Sequence, residues 1–206
     1  MKLTYFPIKG VAEPIRLALV AGGVDFEDNR LEQGTWPDLK ASTPFGALPT
    51  LHLDSGEQLA QSDALLRYAG KLGGLYPKDD DVAAMRVDMW LGAADDVQGA
   101  IRPTLFEKDD EKKMAMRKVL ADETFPKWLS IFDSQLESNG SGFLVGTSMT
   151  VADLKLFCIL DNLKSGILDG IPPTITEPYA KLQKLYDTVA KHEKVAAYRE
   201  TTYPPK

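Results

Sequence analysis

The sequence contains very little cysteine and histidine. Among its 206 residues there is one cysteine, Cys158, and there are two histidines, His52 and His192. A single cysteine excludes an intramolecular disulfide, a Cys-x-x-Cys redox pair and a cysteine-based zinc site, and it is typical of a reducing compartment. The two histidines lie far apart in no recognisable motif. We therefore interpret both as structural and expect no metal site, no resident cofactor and no Ser-His-Asp triad.

Positive charge and long apolar runs are also scarce. Acidic residues outnumber basic ones by 30 to 24, for a formal net charge of −6. Because no basic patch stands out, nucleic acid is not an expected partner. No apolar run approaches the roughly 18 residues of a membrane span, and charges at Lys2, Lys9, Glu13 and Arg16 argue against an N-terminal signal peptide. We expect a cytoplasmic protein with no membrane partner.

Residues 1–75 are predicted to form one α+β domain. Strand-like runs occupy 2–6, 26–31, 50–53 and 57–60. A helix that begins near Pro14 and ends at Gly22 separates the first two strands, which predicts a parallel pair with a right-handed crossover. The polar segment 32–43 is expected to form a short helix or an irregular loop, and a helix follows the last strand. The predicted order of elements is therefore βαβ followed by ββα.

Residues 82–206 are predicted to form an all-α domain after a break at 72–81 that is rich in glycine, proline and aspartate. Apolar spacing predicts helices at 82–105, 110–137, from Thr150 onward, and near 176–191 and 192–200. Pro103 is expected to kink or end the first of these helices, and Pro126 is expected to bend the second. Thr150-Val-Ala-Asp153 has the spacing of a capping box, with aspartate in place of glutamate.

The stretch from Pro44 to Tyr68 combines two features that suit a peptide ligand. If the bond before Pro49 is cis, the backbone of Leu48 faces out of the sheet and can pair with an extended ligand. Ser62 has the composition of an N-cap, and the helix N-terminus behind it can accept a carboxylate. Taken alone, the stretch is more typical of an ordinary hairpin followed by a capped helix than of a ligand site.

Motifs along nearly the whole chain resemble the cytosolic glutathione transferases. They are Tyr5-Phe6-Pro7 with Gly10 and Arg16, Trp36 with Lys40, the segment 44–49, Gln61-Ser62, Leu75-Tyr76-Pro77, Asp95-Asp96, Phe143-Leu-Val-Gly146 and Thr150-Val-Ala-Asp153. The segment 26–37 is most similar to the sigma class, and Tyr5-Phe6-Pro7 is also similar to the pi class. The resemblance implies a thioredoxin-like domain, an all-helical domain, a homodimer and glutathione as co-substrate.

The resemblance implies that Tyr5 is the catalytic residue, hydrogen-bonding the glutathione sulfur and stabilising its thiolate. Lowering a thiol pKa by about two units needs about 2.7 kcal/mol. A hydrogen bond to a charged group supplies roughly 1.5–3 kcal/mol. One well-placed phenol is therefore sufficient for most of the shift.

The same resemblance implies roles for the other site residues. Gln61 and Ser62 would hold the γ-glutamyl end, and the Leu48 backbone before Pro49 would pair with the cysteinyl part. Trp36 and Lys40 would reach the glycine end, and Asp96 would reach the glutathione of a neighbouring subunit. Phe45 is expected either to insert into that subunit or to anchor its own loop.

The second-substrate site is expected to be mainly apolar, which suits hydrophobic electrophiles. Its residues would be Phe6, Ile8 and Val11 on one wall and Arg102, Leu105 and Phe106 on the other, unless these are interdomain core residues. Val11 stands where many sigma-class members have an arginine, and Ala47 where relatives often have a longer polar side chain. Phe106 stands where pi-class members have a tyrosine, so its hydroxyl is absent.

Three functions remain compatible with the resemblance. The first is a glutathione transferase that conjugates glutathione to hydrophobic electrophiles. The second is a glutathione-dependent isomerase similar to a prostaglandin D synthase, and the third is a structural or ligand-carrying relative similar to a lens crystallin. A thiol-disulfide oxidoreductase on this fold is excluded because residues 1–77 contain no cysteine.

Overall fold

A computed structural model describes residues 1–203 of the chain. Contacts divide it into two compact units. The N-terminal unit comprises Met1–Lys78 and the segment that begins at His192, and the helical unit comprises Asp79–Lys191. No helix in the described residues is both long enough and apolar enough to cross a membrane.

The N-terminal unit has the predicted order of strands and helices. Its strands are β1 (Lys2–Tyr5), β2 (Glu27–Arg30), β3 (Thr50–His52) and β4 (Gln58–Ala60), and its first helices are α1 (Glu13–Gly22), α2 (Trp36–Lys40) and α3 (Ser62–Gly73). The strand order is β2-β1-β3-β4. The β1–β2 pair is parallel, whereas β1–β3 and β3–β4 are antiparallel. The predicted α+β architecture is confirmed.

Helices α1 and α3 cross at two glycines. A Cβ atom built on Gly73 would lie 2.8 Å from the Cα atom of Gly22 and 3.1 Å from the carbonyl oxygen of Ala18. Because real Cβ atoms do not approach so closely, the two helix backbones need glycine at this crossing. The helices cover the sheet face on which Leu3 and Leu51 are fully buried, and this packing fixes β1, which ends at Tyr5.

The helical unit consists of α4 (Asp81–Phe106), α5 (Asp110–Val119), α6 (Phe125–Asn139), α7 (Val151–Lys164) and α8 (Ala180–Ala190). Every residue of α7 from Val151 to Leu160 is buried. The helix begins at the predicted capping box, which is confirmed: the Thr150 amide donates to Asp153 Oδ2 at 2.7 Å. The Leu144 amide donates to Asp153 Oδ1 at 2.8 Å, so the preceding loop is held to the same carboxyl group.

Pro103 does not end its helix, whereas the kink expected as the other outcome stays a prediction, and the predicted helix 110–137 is interrupted. Helix α4 continues through Pro103 to Phe106, where the buried Thr104 hydroxyl donates to the Ile101 carbonyl at 2.7 Å and accepts from Arg117 Nε at 2.6 Å. The segment 110–137 is not one helix, because a π-helical turn at Leu120–Thr124 separates α5 from α6. Pro126 follows this turn and has no amide to donate, so a regular helical bond is missing there.

Two smaller differences concern α3 and the last helix. Ser62 is the first residue of α3 and not its N-cap, a position that Gln61 occupies. Helix α9 (Glu193–Thr202) packs on α1, so by contacts it belongs to the N-terminal unit. The sequence pattern alone predicts it as part of the helical domain.

Candidate active site

Tyr5 ends β1 in a row of three aromatic rings. Its side chain is 8% exposed, and its ring contacts that of Phe6 edge to face at a centroid distance of 5.3 Å. The Phe6 ring in turn contacts Trp36 edge to face at 5.7 Å. Two residues predicted for different parts of the site, Tyr5 and Trp36, are thus connected through Phe6.

The backbone at Gly10 passes directly over the hydroxyl of Tyr5. Gly10 has φ of +46°, and a Cβ atom built there would lie 2.6 Å from Tyr5 Oη and 2.8 Å from Tyr5 Cε1. A larger residue would therefore face a steric clash as well as a left-handed backbone conformation. This close approach gives the phenol a fixed position under the loop.

Arg16 lies fully buried behind the same loop. Its Nη1 atom donates to the carbonyl oxygens of Ile8 at 2.9 Å and Lys9 at 3.3 Å, and its Cζ atom lies 5.8 Å from the centre of the Tyr5 ring. Arg16 is ion-paired with Glu13 at 3.2 Å and Asp28 at 2.9 Å, so its main effect here is to hold the carbonyl groups of the loop in place. Sequence reasoning used Arg16 only as part of a motif. The detectable signal was a charged residue on the apolar face of α1.

The segment before β3 contains the cis peptide bond on which the predicted backbone pairing of Leu48 depends. The Leu48–Pro49 bond is cis. Pro49 is buried and Leu48 is half-buried. Leu48 lies beyond Thr50, whose pairing with Thr4 is the last between β1 and β3.

Gln61 has an unusual backbone conformation at the start of α3. Its φ is 76° and its ψ is 106°, and no other non-glycine residue within 1–203 has a positive φ. Such conformations cost about 1–3 kcal/mol and are concentrated at functional sites. Ser62 follows at the first turn of a 12-residue helix, whose free amides and dipole favour an anion.

Trp36 and Lys40 lie at the two ends of the short helix α2. Trp36 is half-buried and Lys40 is exposed. In the described part of the chain the Lys40 ammonium group has no salt-bridge partner. A carboxylate ligand could therefore pair with it without displacing another residue.

The helical unit carries the remaining predicted residues, all on α4. Asp96 is exposed, whereas its neighbour Asp95 accepts a hydrogen bond from the buried Lys155 at 2.6 Å. Arg102, Leu105 and Phe106 are exposed in the last turns of α4, Phe106 at 73%. Phe6, Ile8 and Val11 belong to the N-terminal unit, so the assembly of these two groups into one second-substrate site stays a prediction.

No candidate metal centre accompanies these residues: within 1–203 no group of three or more His, Cys, Asp or Glu side chains could hold a metal ion. What the structure brings together in one unit is the set Tyr5, Trp36, Lys40, Leu48, Pro49, Gln61 and Ser62. This set offers a buried phenol, a helix N-terminus and an exposed ammonium group.

Family models match both halves of the chain. Residues 1–71 match the model of the glutathione S-transferase N-terminal domain, and residues 95–202 match a model of the glutathione S-transferase C-terminal domain. A relative from Ascaris suum named Glutathione S-transferase 1 is 39% identical over 193 residues, which cover 91% of this chain and 89% of the relative.

Two solved structures are similar over the whole chain. The glutathione S-transferase from Ascaris lumbricoides has a TM-score of 0.82 and 36% identity, covering 100% of this chain and 97% of that one. Prostaglandin synthase D of Nilaparvata lugens has a TM-score of 0.88 and 32% identity, covering 100% and 98%. Both halves of the chain and its full-length relatives agree, and the chain belongs to the glutathione S-transferase family.

Proposed function

We propose that this glutathione S-transferase family member conjugates glutathione to apolar electrophiles, with Tyr5 stabilising the glutathione thiolate. The observation that carries the proposal is the Tyr5 phenol, buried under Gly10 and backed by the buried Arg16 guanidinium. A charge-assisted hydrogen bond of about 1.5–3 kcal/mol accounts for most of a thiol pKa decrease of about two units. Arg16, which is ion-paired with Glu13 and Asp28, holds the loop over Tyr5. It does not replace the arginine that many sigma-class members have where this chain has Val11.

Glutathione binding is proposed to use the rest of the N-terminal unit. The γ-glutamyl carboxylate would lie on the N-terminus of α3 beside Gln61 and Ser62, and the cysteinyl backbone would pair with Leu48 before the cis Pro49. Lys40 would pair with the glycine carboxylate, with Trp36 beside it. Asp96 would reach the glutathione amine of a neighbouring subunit.

The electrophile is proposed to bind Phe6, Ile8 and Val11 together with Arg102, Leu105 and Phe106. Ile8, Leu105 and Phe106 are large apolar side chains that are more than half exposed. Exposed apolar groups of this size are typical of ligand or partner surfaces. Because Phe106 has no hydroxyl, we expect no acid assistance from this position.

A homodimer of the sigma type is the proposed assembly, in the cytoplasm. Phe45 is 65% exposed on its loop, and α4 carries an exposed stripe of Val82, Met85 and Met89. Light scattering on the wild type and on Phe45→Ala tests the assembly. A wild-type mass of one chain would contradict the homodimer.

The test of Tyr5 is the Tyr5→Phe variant, assayed with chlorodinitrobenzene and glutathione. At about pH 6.5 the rate should fall by about 50-fold, because the thiol pKa returns toward its free value of about 8.5. Calorimetric titration should show glutathione bound with similar affinity, since the binding contacts remain. The matched control is Tyr68→Phe on α3, which removes a hydroxyl from an exposed tyrosine and should leave the rate unchanged.

The outcomes separate the candidate functions. Unchanged turnover in folded Tyr5→Phe would remove Tyr5 from its role. Absence of millimolar or tighter glutathione binding by the wild type would favour the structural or ligand-carrying function. The similarity to prostaglandin synthase D of Nilaparvata lugens keeps the isomerase alternative open. Conversion of prostaglandin H to prostaglandin D without net glutathione consumption would support it.

A further inference from the structure

The C-terminal segment closes a ring of polar side chains in the N-terminal unit. We name this ring the C-terminal clasp, and its members are Glu13, Arg16, Asp28, Arg30 and Tyr203. Tyr203 Oη donates to Glu13 Oε2 at 2.8 Å and accepts from Arg30 Nη2 at 3.0 Å. Arg30 Nε and Arg16 Nε each donate to one oxygen of Asp28, at 2.8 and 2.9 Å. Arg16 Nη1 donates to Glu13 Oε2 at 3.2 Å, which completes the ring.

Tyr203 is held in the clasp by more than its hydroxyl group. Lys9 Nζ lies 4.9 Å and Arg30 Cζ 5.2 Å from the centre of its ring. Tyr198 on α9 contacts the ring edge to face at 6.0 Å and accepts a hydrogen bond from Arg30 at 3.1 Å. The ring and the hydroxyl group therefore make separable contributions, and Tyr203→Phe removes only the second.

Burial makes the Tyr203 hydroxyl bond important for Glu13. Glu13 is 4% exposed and Arg16 is 0% exposed. Burial raises the pKa of Glu13, and the hydrogen bond from Tyr203 opposes that rise ahead of the Arg16 charge. A buried carboxylate that loses such a donor is left short of a partner at a cost of about 1–3 kcal/mol. The hydrogen bond that Glu13 accepts from its remaining donor, Arg16 Nη1, then changes in strength.

The same Arg16 nitrogen connects the clasp to Tyr5. Besides Glu13, Arg16 Nη1 binds the carbonyl oxygens of Ile8 and Lys9. These two residues immediately precede Gly10, whose backbone lies over the Tyr5 hydroxyl. Hydrogen bonds through two side chains, Glu13 and Arg16, therefore connect the Tyr203 hydroxyl group to the loop that covers the candidate catalytic group. The Tyr203 ring also contacts Lys9 of that loop directly, and Tyr203→Phe keeps this contact.

We propose that Tyr203 is a positioning residue for thiolate formation at Tyr5, acting through Glu13 and Arg16. The inference rests on the proposed function. Loss of the Tyr203 hydroxyl loosens the 8–10 loop and lengthens the hydrogen bond between Tyr5 and the glutathione sulfur. The expected consequence is a less acidic bound thiol, with little change in glutathione affinity.

The experiment measures the thiol pKa of bound glutathione in Tyr203→Phe. Ultraviolet absorbance of the thiolate is recorded across pH with saturating glutathione, and kcat/KM for chlorodinitrobenzene is measured over the same range. We expect the thiol pKa to rise by about half to one unit, which lowers kcat/KM by about three- to tenfold below the shifted pKa. Above that pKa the two proteins should have similar kcat/KM.

The matched control is Tyr186→Phe in the helical unit. Tyr186 Oη also donates to a carboxylate, Asp161 Oδ1, at 2.8 Å. Both variants should lower the thermal unfolding temperature by a similar small amount, but only Tyr203→Phe should move the thiol pKa. Glu13→Gln supplies a second test, because Tyr203→Phe should have little further effect on the thiol pKa in that background.

Failure of the inference and failure of the proposed function are distinguishable. If wild-type protein binds no glutathione, or binds it with an unshifted thiol pKa, the proposed function fails and the inference fails with it. If the wild type lowers the thiol pKa and Tyr203→Phe lowers it equally, only the inference is overturned. A full effect of Tyr203→Phe in the Glu13→Gln background, or an equal shift in Tyr186→Phe, would also overturn it.

Discussion

Each unit contains a buried carboxyl group, and the hydrogen-bond partners of the two groups differ. In the helical unit Asp153 accepts from the amides of Leu144 and Thr150 and from the Thr150 hydroxyl. In the N-terminal unit Glu13 bonds to Arg16, three residues away, and to Tyr203, 190 residues away. The first group stabilises a helix start and its loop. The second connects the chain end to the loop over Tyr5.

The two units also differ in where their unusual backbone conformations lie. The positive φ values of the helical unit, at residues 140, 142, 146, 166 and 170, all belong to glycines. The N-terminal unit has the strained Gln61 and has Gly10 against the Tyr5 hydroxyl. We therefore expect substitutions at the special positions of the helical unit to change stability, and those of the N-terminal unit to change glutathione chemistry.

The largest expected effect is a pH dependence at Asp153. Burial raises the pKa of Asp153 to about 6, above the roughly 3.9 of an unfolded chain. The folded state therefore holds the proton more tightly, and the stabilisation present below about pH 4 is lost as the pH rises to about 6, a change of about 3 kcal/mol. Asp153→Asn removes this titration.

Urea unfolding of wild type and Asp153→Asn at about pH 4, 5 and 7 measures the difference. The wild type should lose stability relative to the variant as the pH increases. A difference that does not vary with pH would show that Asp153 has the same pKa folded and unfolded.

The next effect is at Gly10, where the comparison predicts lost activity. Gly10→Ala places a methyl group against the Tyr5 hydroxyl, and turnover should fall by about 10- to 100-fold, or about 1.4–2.8 kcal/mol. The control is Gly56→Ala, which has φ of +89° but no atom within 4 Å of its Cβ position. It should cost stability through backbone strain and leave turnover unchanged. Equal turnover of the two variants would contradict the role of Gly10.

A smaller effect is expected at the capping box. Thr150→Ala removes the hydroxyl that donates to Asp153 at 2.8 Å and should lower the free energy of unfolding by about 1–2 kcal/mol. Glutathione affinity of the folded variant should not change. Thr188→Ala on the exposed face of α8, where the hydroxyl bonds the Lys184 carbonyl, should stay within about 0.5 kcal/mol of wild type. Weakened glutathione binding in Thr150→Ala would contradict the expectation that substitutions in the helical unit change stability and not glutathione chemistry.

The smallest effect is at Gln61, where stability and binding should move in opposite directions. Gln61→Gly relieves a backbone strain of about 1–3 kcal/mol but adds unfolded-state entropy of about 0.5–1 kcal/mol. We expect a net stabilisation of about 1 kcal/mol together with weaker glutathione binding by calorimetry. The control Gln33→Gly, in an exposed turn, should not be stabilising. Stability that falls in Gln61→Gly would show that its conformation is not strained.

Local patterns were sufficient to predict most elements and one buried polar contact. The capping box at Thr150 and Asp153 was predicted because its partners are three residues apart. The parallel β1–β2 pair followed from the strand, helix and strand order. The roles of Tyr5, Gln61 and Ser62 came from a family resemblance, and they stay proposals.

Long-range contacts were not predictable in the same way. Nothing in the pattern around Tyr203 indicates that its hydroxyl group bonds Glu13 or that α9 packs on α1. The π-helical turn at Leu120–Thr124 was also missed, because the apolar spacing of 110–137 continues through it. The helical spacing of apolar residues shows which face of a helix is buried. It does not show which backbone hydrogen bond is lost before a proline.

The sequence by itself determined the α+β class, the order of the elements and the family, because these depend on short-range periodicity and on motifs read in order. Only the tertiary structure decided that Arg16 lies behind Tyr5, that Gly10 covers its hydroxyl group and that Tyr203 closes the ring around Glu13. The physical reason is distance along the chain. Side chains that meet across many residues are brought together by the packing of α1, α9 and the sheet, and no local preference of the residues specifies that meeting.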